Sequence, residues 1–92
     1  EELLRSCGSF YGVEQMRAGK SPQEACEAVC QRIIDINGGK DIIDFSDKMV
    51  AVNKDGEVGC AEIRGKKGNP PEMAYWSKKG LKIWKGTSLI KI

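Results

Sequence analysis

Apolar residues recur at helical spacing through the first third of the chain and in short alternating or continuous runs after residue 48. From Glu1 to Ala18, Leu3, Cys7, Phe10, Val13 and Met16 stand three or four apart, which predicts an amphipathic helix with that stripe buried, and Gly19 is placed to stop it. Ser21-Pro22-Gln23-Glu24 then supplies an N-cap serine, a proline at the first helical position and a glutamate three residues after the cap. The second helix predicted from this start buries Ala25, Cys26, Val29, Cys30 and Ile33, with Ile36 as a further candidate. Glu24, Glu27, Gln31, Arg32 and Asp35 fall on its outward face, and Asn37-Gly38-Gly39 ends it. Residues 1–39 thus read as a helical hairpin bent at Gly19-Lys20.

An acidic connector, residues 40–47, leads to Met49-Val50-Ala51-Val52, an unbroken apolar run that reads as a strand buried on both faces. Asn53 to Glu57 is a hairpin connection, with Gly56 free to adopt positive φ, and Val58 to Ile63 is the returning strand. Residues 64–71 are loop chemistry; Glu72 to Trp76 and Leu81 to Lys85 are strand candidates joined by a turn at Ser77 to Gly80. The fold class is α+β: one segment, residues 1–92, with a helical hairpin at 1–39 and strands over 48–92. Two one-sided helices cannot cover both faces of a two-faced sheet, so a further layer is expected from outside the chain.

At 92 residues and 40% apolar, 30% charged composition, the chain fits a small globular unit rather than a disordered or membrane-spanning one. The formal charge of +2 hides an asymmetry. Residues 1–46 hold 8 acids and 5 bases, a net −3, while residues 47–92 hold 5 acids and 10 bases, a net +5. This is either a basic binding face or a solvated surface that meets an acidic neighbour, and the second reading is preferred. The four cysteines, Cys7, Cys26, Cys30 and Cys60, are too sparse for a disulfide scaffold and do not reveal the compartment; Cys26 and Cys30, one helical turn apart, read as buried free thiols.

The chain has no histidine, which removes the commonest general base, the Ser-His and Cys-His nucleophile pairs and most catalytic zinc sites. Asp35, Asp41, Asp44 and Asp47 lack the ligand spacing of a calcium loop. Gly38-Gly39-Lys40 and Gly65-Lys66-Lys67-Gly68 lack the glycine spacing of a phosphate loop. Lys66, Lys67, Lys78, Lys79, Lys82 and Lys85 interleave with Tyr75, Trp76 and Trp84, the ingredients of a nucleic-acid stacking platform, but core packing and edge protection account for them more simply. No catalytic, substrate-binding or metal-ligating residue emerges, and no cofactor.

The run from Tyr11 to Cys26, Tyr-Gly-Val-Glu-Gln-Met-Arg-Ala-Gly-Lys-Ser-Pro-Gln-Glu-Ala-Cys, resembles the C-terminal region of the glycosylasparaginase family. The similarity continues through Arg32-Ile33 and into Val50 to Gly59, the family's late hairpin, and covers about residues 1–63. Beyond Arg64 it stops. The resemblance implies an N-terminal-nucleophile hydrolase with an αββα sandwich, made as a precursor that cleaves itself into two subunits. The second of these begins with a catalytic threonine whose own α-amino group is the base, a chemistry that requires no histidine or metal. The threonine and substrate-holding motifs of that family precede the stretch matched here, so none maps onto a residue of this chain. Thr87, the single threonine, is followed by too few residues to open such a subunit.

The resemblance therefore implies a structural segment from the C-terminal part of the second subunit. On this reading the partner is the remainder of the same hydrolase, the parent is an oligomer, neither nucleic acid nor membrane is bound, and the compartment is lysosomal or periplasmic. The plant-type L-asparaginase and isoaspartyl peptidase group shares the fold and is the related alternative. It usually carries an Asn-Thr-x-Gly-Met segment that is missing after Gly59-Cys60-Ala61-Glu62. A free-standing basic and aromatic interaction module is the alternative of another class.

Overall fold

A computed structural model describes residues 7–92, and Leu3 of the predicted stripe lies outside them. The described chain is α+β, with helices α1 (Gly8–Arg17) and α2 (Pro22–Ile36) followed by strands β1 (Lys48–Val52), β2 (Val58–Gly65), β3 (Glu72–Ser77), β4 (Gly80–Lys85) and β5 (Thr87–Lys91). The strands form a three-stranded sheet in the order β1-β2-β5 and a separate two-stranded sheet of β3 and β4. β1 runs antiparallel to β2, and β5 runs parallel to it.

The start of α2 follows the sequence closely. Ser21 Oγ accepts from Glu24 N at 3.1 Å, while Glu24 Oε1 accepts from Ser21 N at 3.0 Å. These two bonds satisfy donors that the first helical turn otherwise leaves open. The backbone bond draws the Glu24 carboxyl below its ordinary range, with the Ser21 hydroxyl adding to it. At the far end the Asn37 side chain donates to Ile33 O at 2.9 Å, and Gly38 and Gly39 at positive φ turn the chain away.

The buried face of α2 contains Ala25, Cys26, Val29, Cys30, Ile33 and also Ile34, whereas Ile36 is exposed. Ile34 takes the expected place of Ile36 because the core continues sideways to Ile43 of the connector. Val29 and Ile33 are fully buried, each contributing about 1.5–3 kcal/mol by leaving water.

The predicted stripe of α1 is not its buried face. Phe10 is 70% exposed and Val13 47%, while the buried positions are Gly8 and Gly12. The reason is close approach of the helices: a Cβ on Gly12 would stand 3.2 Å from Val29 Cγ2, so the glycine face, not the bulky one, meets α2. Tyr11 packs beside this contact, with the Arg32 guanidinium 5.0 Å above its ring centre.

β1 is likewise not buried on both sides. Met49 and Ala51 pack toward the core beneath α2, but Val50 and Val52 on the opposite face are 61% and 63% exposed. The strand buried on both faces is β2, where Val58 to Ile63 are all buried. Gly59, Ala61 and Ile63 alternate toward α2, and Cys60 and Glu62 lie on the other side. Cys60 Sγ lies 3.8 Å from Pro71 O, and Glu62 accepts from Ser88 Oγ at 2.7 Å. The β1–β2 turn matches expectation: Asn53 Oδ1 accepts from Asp55 N and Glu57 N, both at 3.0 Å, and Gly56 has φ of 82°.

β5 is an element that the sequence reading did not anticipate. It pairs Ala61 with Thr87 and Glu62 with Ser88, closing the edge of β2 that a lone hairpin would leave open.

Candidate functional site

The densest polar constellation surrounds Gln23, in the first turn of α2. Its Nε2 donates to Cys60 O at 2.9 Å, to Glu27 Oε2 at 3.0 Å and, more weakly, to Thr87 Oγ1 at 3.3 Å. Its Oε1 accepts from Trp84 Nε1 at 2.8 Å and from Cys60 N at 3.0 Å. Thr87 Oγ1 donates to Glu27 Oε2 at 2.7 Å. One amide therefore fastens the helix to β2, β4 and β5 together.

Glu27, assigned to the outward face in the sequence reading, is half-buried here because it receives both Gln23 and Thr87. The linkage spans 37 to 64 residues of chain, so helical periodicity carries no trace of it. A glutamine immediately after a helix-starting proline is the single local hint. The arrangement is a lock: the Thr87 proton is committed to Glu27, and both groups are held by an amide already in use.

The three buried thiols lie beside this lock and beneath α2. Cys26 donates to Gly59 O at 3.6 Å. Burial pushes the Cys26 and Cys30 thiols up to about 12, and Cys60 is raised for the same reason. Thiols held protonated are poor nucleophiles and poor metal ligands. All four cysteines are free, and Cys7 is exposed.

Other features singled out in the sequence are dispersed. Asp35, Asp41 and Asp44 are exposed around the C-terminal end of α2. Among the described residues no group of three His, Cys, Asp or Glu side chains is placed to hold a metal ion. Gly65 to Gly68 follows a strand and precedes another strand, not a helix. The aromatic residues are divided: Trp84 points inward to Gln23, Tyr75 is half-buried, and Trp76 is 79% exposed.

A groove of about 250 Å³ separates α1 from β1 and is lined chiefly by apolar groups, including Gly12, Val13, Met16, Val29, Val50 and Val52. The outer edge of β1 pairs with no described strand. The groove, the unpaired edge and the exposed Val50–Val52 face are therefore contiguous, which is the form of a surface made to be covered by more protein.

No family model matches the chain. Individual relatives do. An N4-(β-N-acetylglucosaminyl)-L-asparaginase of Elizabethkingia miricola is 39% identical over 62 residues, an alignment covering 65% of this chain and 18% of that protein. An L-asparaginase-like protein of Drosophila melanogaster is 41% identical over 59 residues, covering 64% of this chain and 14% of the relative. Its counterpart in Drosophila sechellia is 39% identical over 59 residues with the same coverage. The chain thus spans less than a fifth of the length of these relatives. Over about two-thirds of its own residues it is a glycosylasparaginase-like sequence.

Proposed function

We propose that this chain is a structural segment of a glycosylasparaginase-type amidohydrolase, contributing a helix pair and sheet strands while the catalytic threonine and substrate clamp lie elsewhere in the polypeptide. The observation that carries the reading is the 39% identity over 62 residues to an N4-(β-N-acetylglucosaminyl)-L-asparaginase, of which the chain matches only 18%. The open edge of β1 and the exposed Val50 and Val52 support it, because they leave room for neighbouring strands and a second layer.

In this reading the parent uses the hydroxyl of a processed N-terminal threonine to attack the side-chain amide of glycosylated asparagine, with the threonine's own amine accepting the proton. The present residues hold the sheet in register. Gln23 and Glu27 fix α2 to the strands, and Gly12 and Gly59 allow the layers to approach.

The test is hydrolysis by the complete polypeptide that contains these residues. Incubation with N-acetylglucosaminyl-asparagine is expected to release aspartate, and mass spectrometry is expected to find a processed subunit beginning with threonine. Turnover of isoaspartyl dipeptides or free L-asparagine in place of the glycosylated substrate would move the assignment to the plant-type asparaginase group, a direction supported by the L-asparaginase-like names of the insect relatives. Hydrolysis of none of these, with no processed threonine, would remove the amidohydrolase reading. Residues 1–92 alone are expected to release no aspartate.

A further inference from the structure

The two ends of α2 carry opposite chemistry. At its C-terminal end Asp35, Asp41 and Asp44 are exposed beside Ile36 and Ile42, which are 41% and 67% exposed. Residues 35–47 contain four aspartates against one base, Lys40. Ile42 is held there by the turn: its N donates to Gly39 O at 3.2 Å, and its Cδ1 lies over Gly38. Arg32 sits one turn back on the helix, engaged over Tyr11.

At the N-terminal end the β3–β4 hairpin is anchored through Trp84 to Gln23. Register places Trp76 opposite Leu81 and Ala74 opposite Ile83 on its outer face, where Trp76, Leu81 and Ile83 are 79%, 59% and 58% exposed. Lys78 and Lys79 form the tip, shaped by Ser77 Oγ, which accepts from Lys79 N at 3.1 Å. Residues 65–92 hold seven lysines and a single acid, Glu72, which stands opposite Lys85. The 15 residues of α2 put about 22 Å between the two ends, so the patches cannot meet within one molecule.

We propose that this face of the hairpin receives a second copy of the chain, whose acidic end (Asp35, Ile36, Asp41, Ile42 and Asp44) docks against Trp76, Lys78, Lys79, Leu81 and Ile83. Apolar residues face apolar residues, and aspartates face lysines. Two molecules with antiparallel α2 helices satisfy both patches at once, giving a closed two-fold pair. Like-patch pairing would set lysine against lysine and is disfavoured.

The experiment is sedimentation velocity on the complete polypeptide containing these residues, independent of any hydrolysis assay. Unmodified protein is expected to dimerise, with Kd rising at least about tenfold between low and high salt as exposed charges are screened. Lys78→Glu with Lys79→Glu, and separately Asp41→Lys with Asp44→Lys, should each weaken the dimer about tenfold or more, and combining all four should restore it. All four positions are exposed, and circular dichroism checks that each variant is folded. A monomer at every concentration, or folded variants whose charge swap gives no restoration, overturns the proposal. So does a monomer that instead sediments with phosphatidylserine vesicles, which would make lipid the occupant.

Discussion

Substituting Gly59 with alanine tests the contact on which the layering depends. Gly59 lies in β2 opposite Ala51 of β1, and its backbone passes directly under the first turn of α2. A Cβ there would overlap Gln23 N and Cα and stand 2.6 Å from the Pro22 carbonyl carbon. These are backbone atoms of a capped helix start, so no rotamer change makes room. The helix must lift, and lifting stretches the Gln23 bonds to Cys60 and the Cys26 bond to Gly59 O. Overpacking typically costs about 1–3 kcal/mol, and backbone against backbone belongs at the upper end, about 2–3 kcal/mol. For a unit of this size the total stability is about 5–14 kcal/mol, so the loss is a substantial share. Gly56→Ala provides the control: nothing lies within 4 Å of its added methyl, and only the left-handed backbone at φ of 82° is penalised, by about 1 kcal/mol. Denaturant midpoints of the folded polypeptide should fall clearly further for Gly59→Ala than for Gly56→Ala. Equal shifts, or the reverse order, would refute the close-approach account.

Removing the Ser21 hydroxyl by Ser21→Ala should cost about 1 kcal/mol of stability in denaturant titrations. Glu24 has its folded pKa depressed, so its stabilising effect is present above the unfolded value and lost as pH falls through the folded one; Ser21→Ala should flatten that acid-side dependence. Gln23→Ala should strip Trp84 Nε1 of its acceptor and free the β3–β4 hairpin, read as a red shift in tryptophan emission with a stability loss of about 2 kcal/mol or more. Alkylation of native protein at neutral pH should label Cys7 quickly and spare Cys26, Cys30 and Cys60, with all four reacting after denaturation. Fast labelling of Cys26 or Cys30 would contradict their burial.

Local signals in the sequence were read well where the backbone itself states its needs. The capping box at Ser21 to Glu24, the stop at Gly19, the turn around Gly56 and the β3–β4 hairpin all depend on residues within a few positions of each other. Errors arose where a neighbouring element decided which side faces inward. Hydrophobicity pointed Phe10 and Val13 into the core, but tight helix packing selected the face with Gly8 and Gly12 instead. Val50 and Val52 read as buried from their type, yet nothing described covers them, and that discrepancy marks where further protein belongs. β5 escaped notice because Thr-Ser-Leu-Ile-Lys is a weak strand signal by itself and gains its order from parallel pairing with β2.

The family resemblance fades after Arg64, yet residues 70–91 are not loosely appended. Gly86 lies so close to Cys60 that a Cβ would overlap its carbonyl oxygen, and Gly86 N donates to Pro71 O at 2.8 Å. β5 pairs with β2, and Gln23 receives Trp84 while its amide reaches Thr87. The side chain that makes most of these bonds belongs to the Ser-Pro-Gln-Glu helix start within the recognisable stretch. A terminal region can therefore diverge in sequence while remaining fixed in position, provided that it presents an indole N–H, a hydroxyl and a close-fitting glycine to that one amide and the strand beside it. The specificity of attachment resides in the helix start, and the outer face of the hairpin is left free to vary toward a partner.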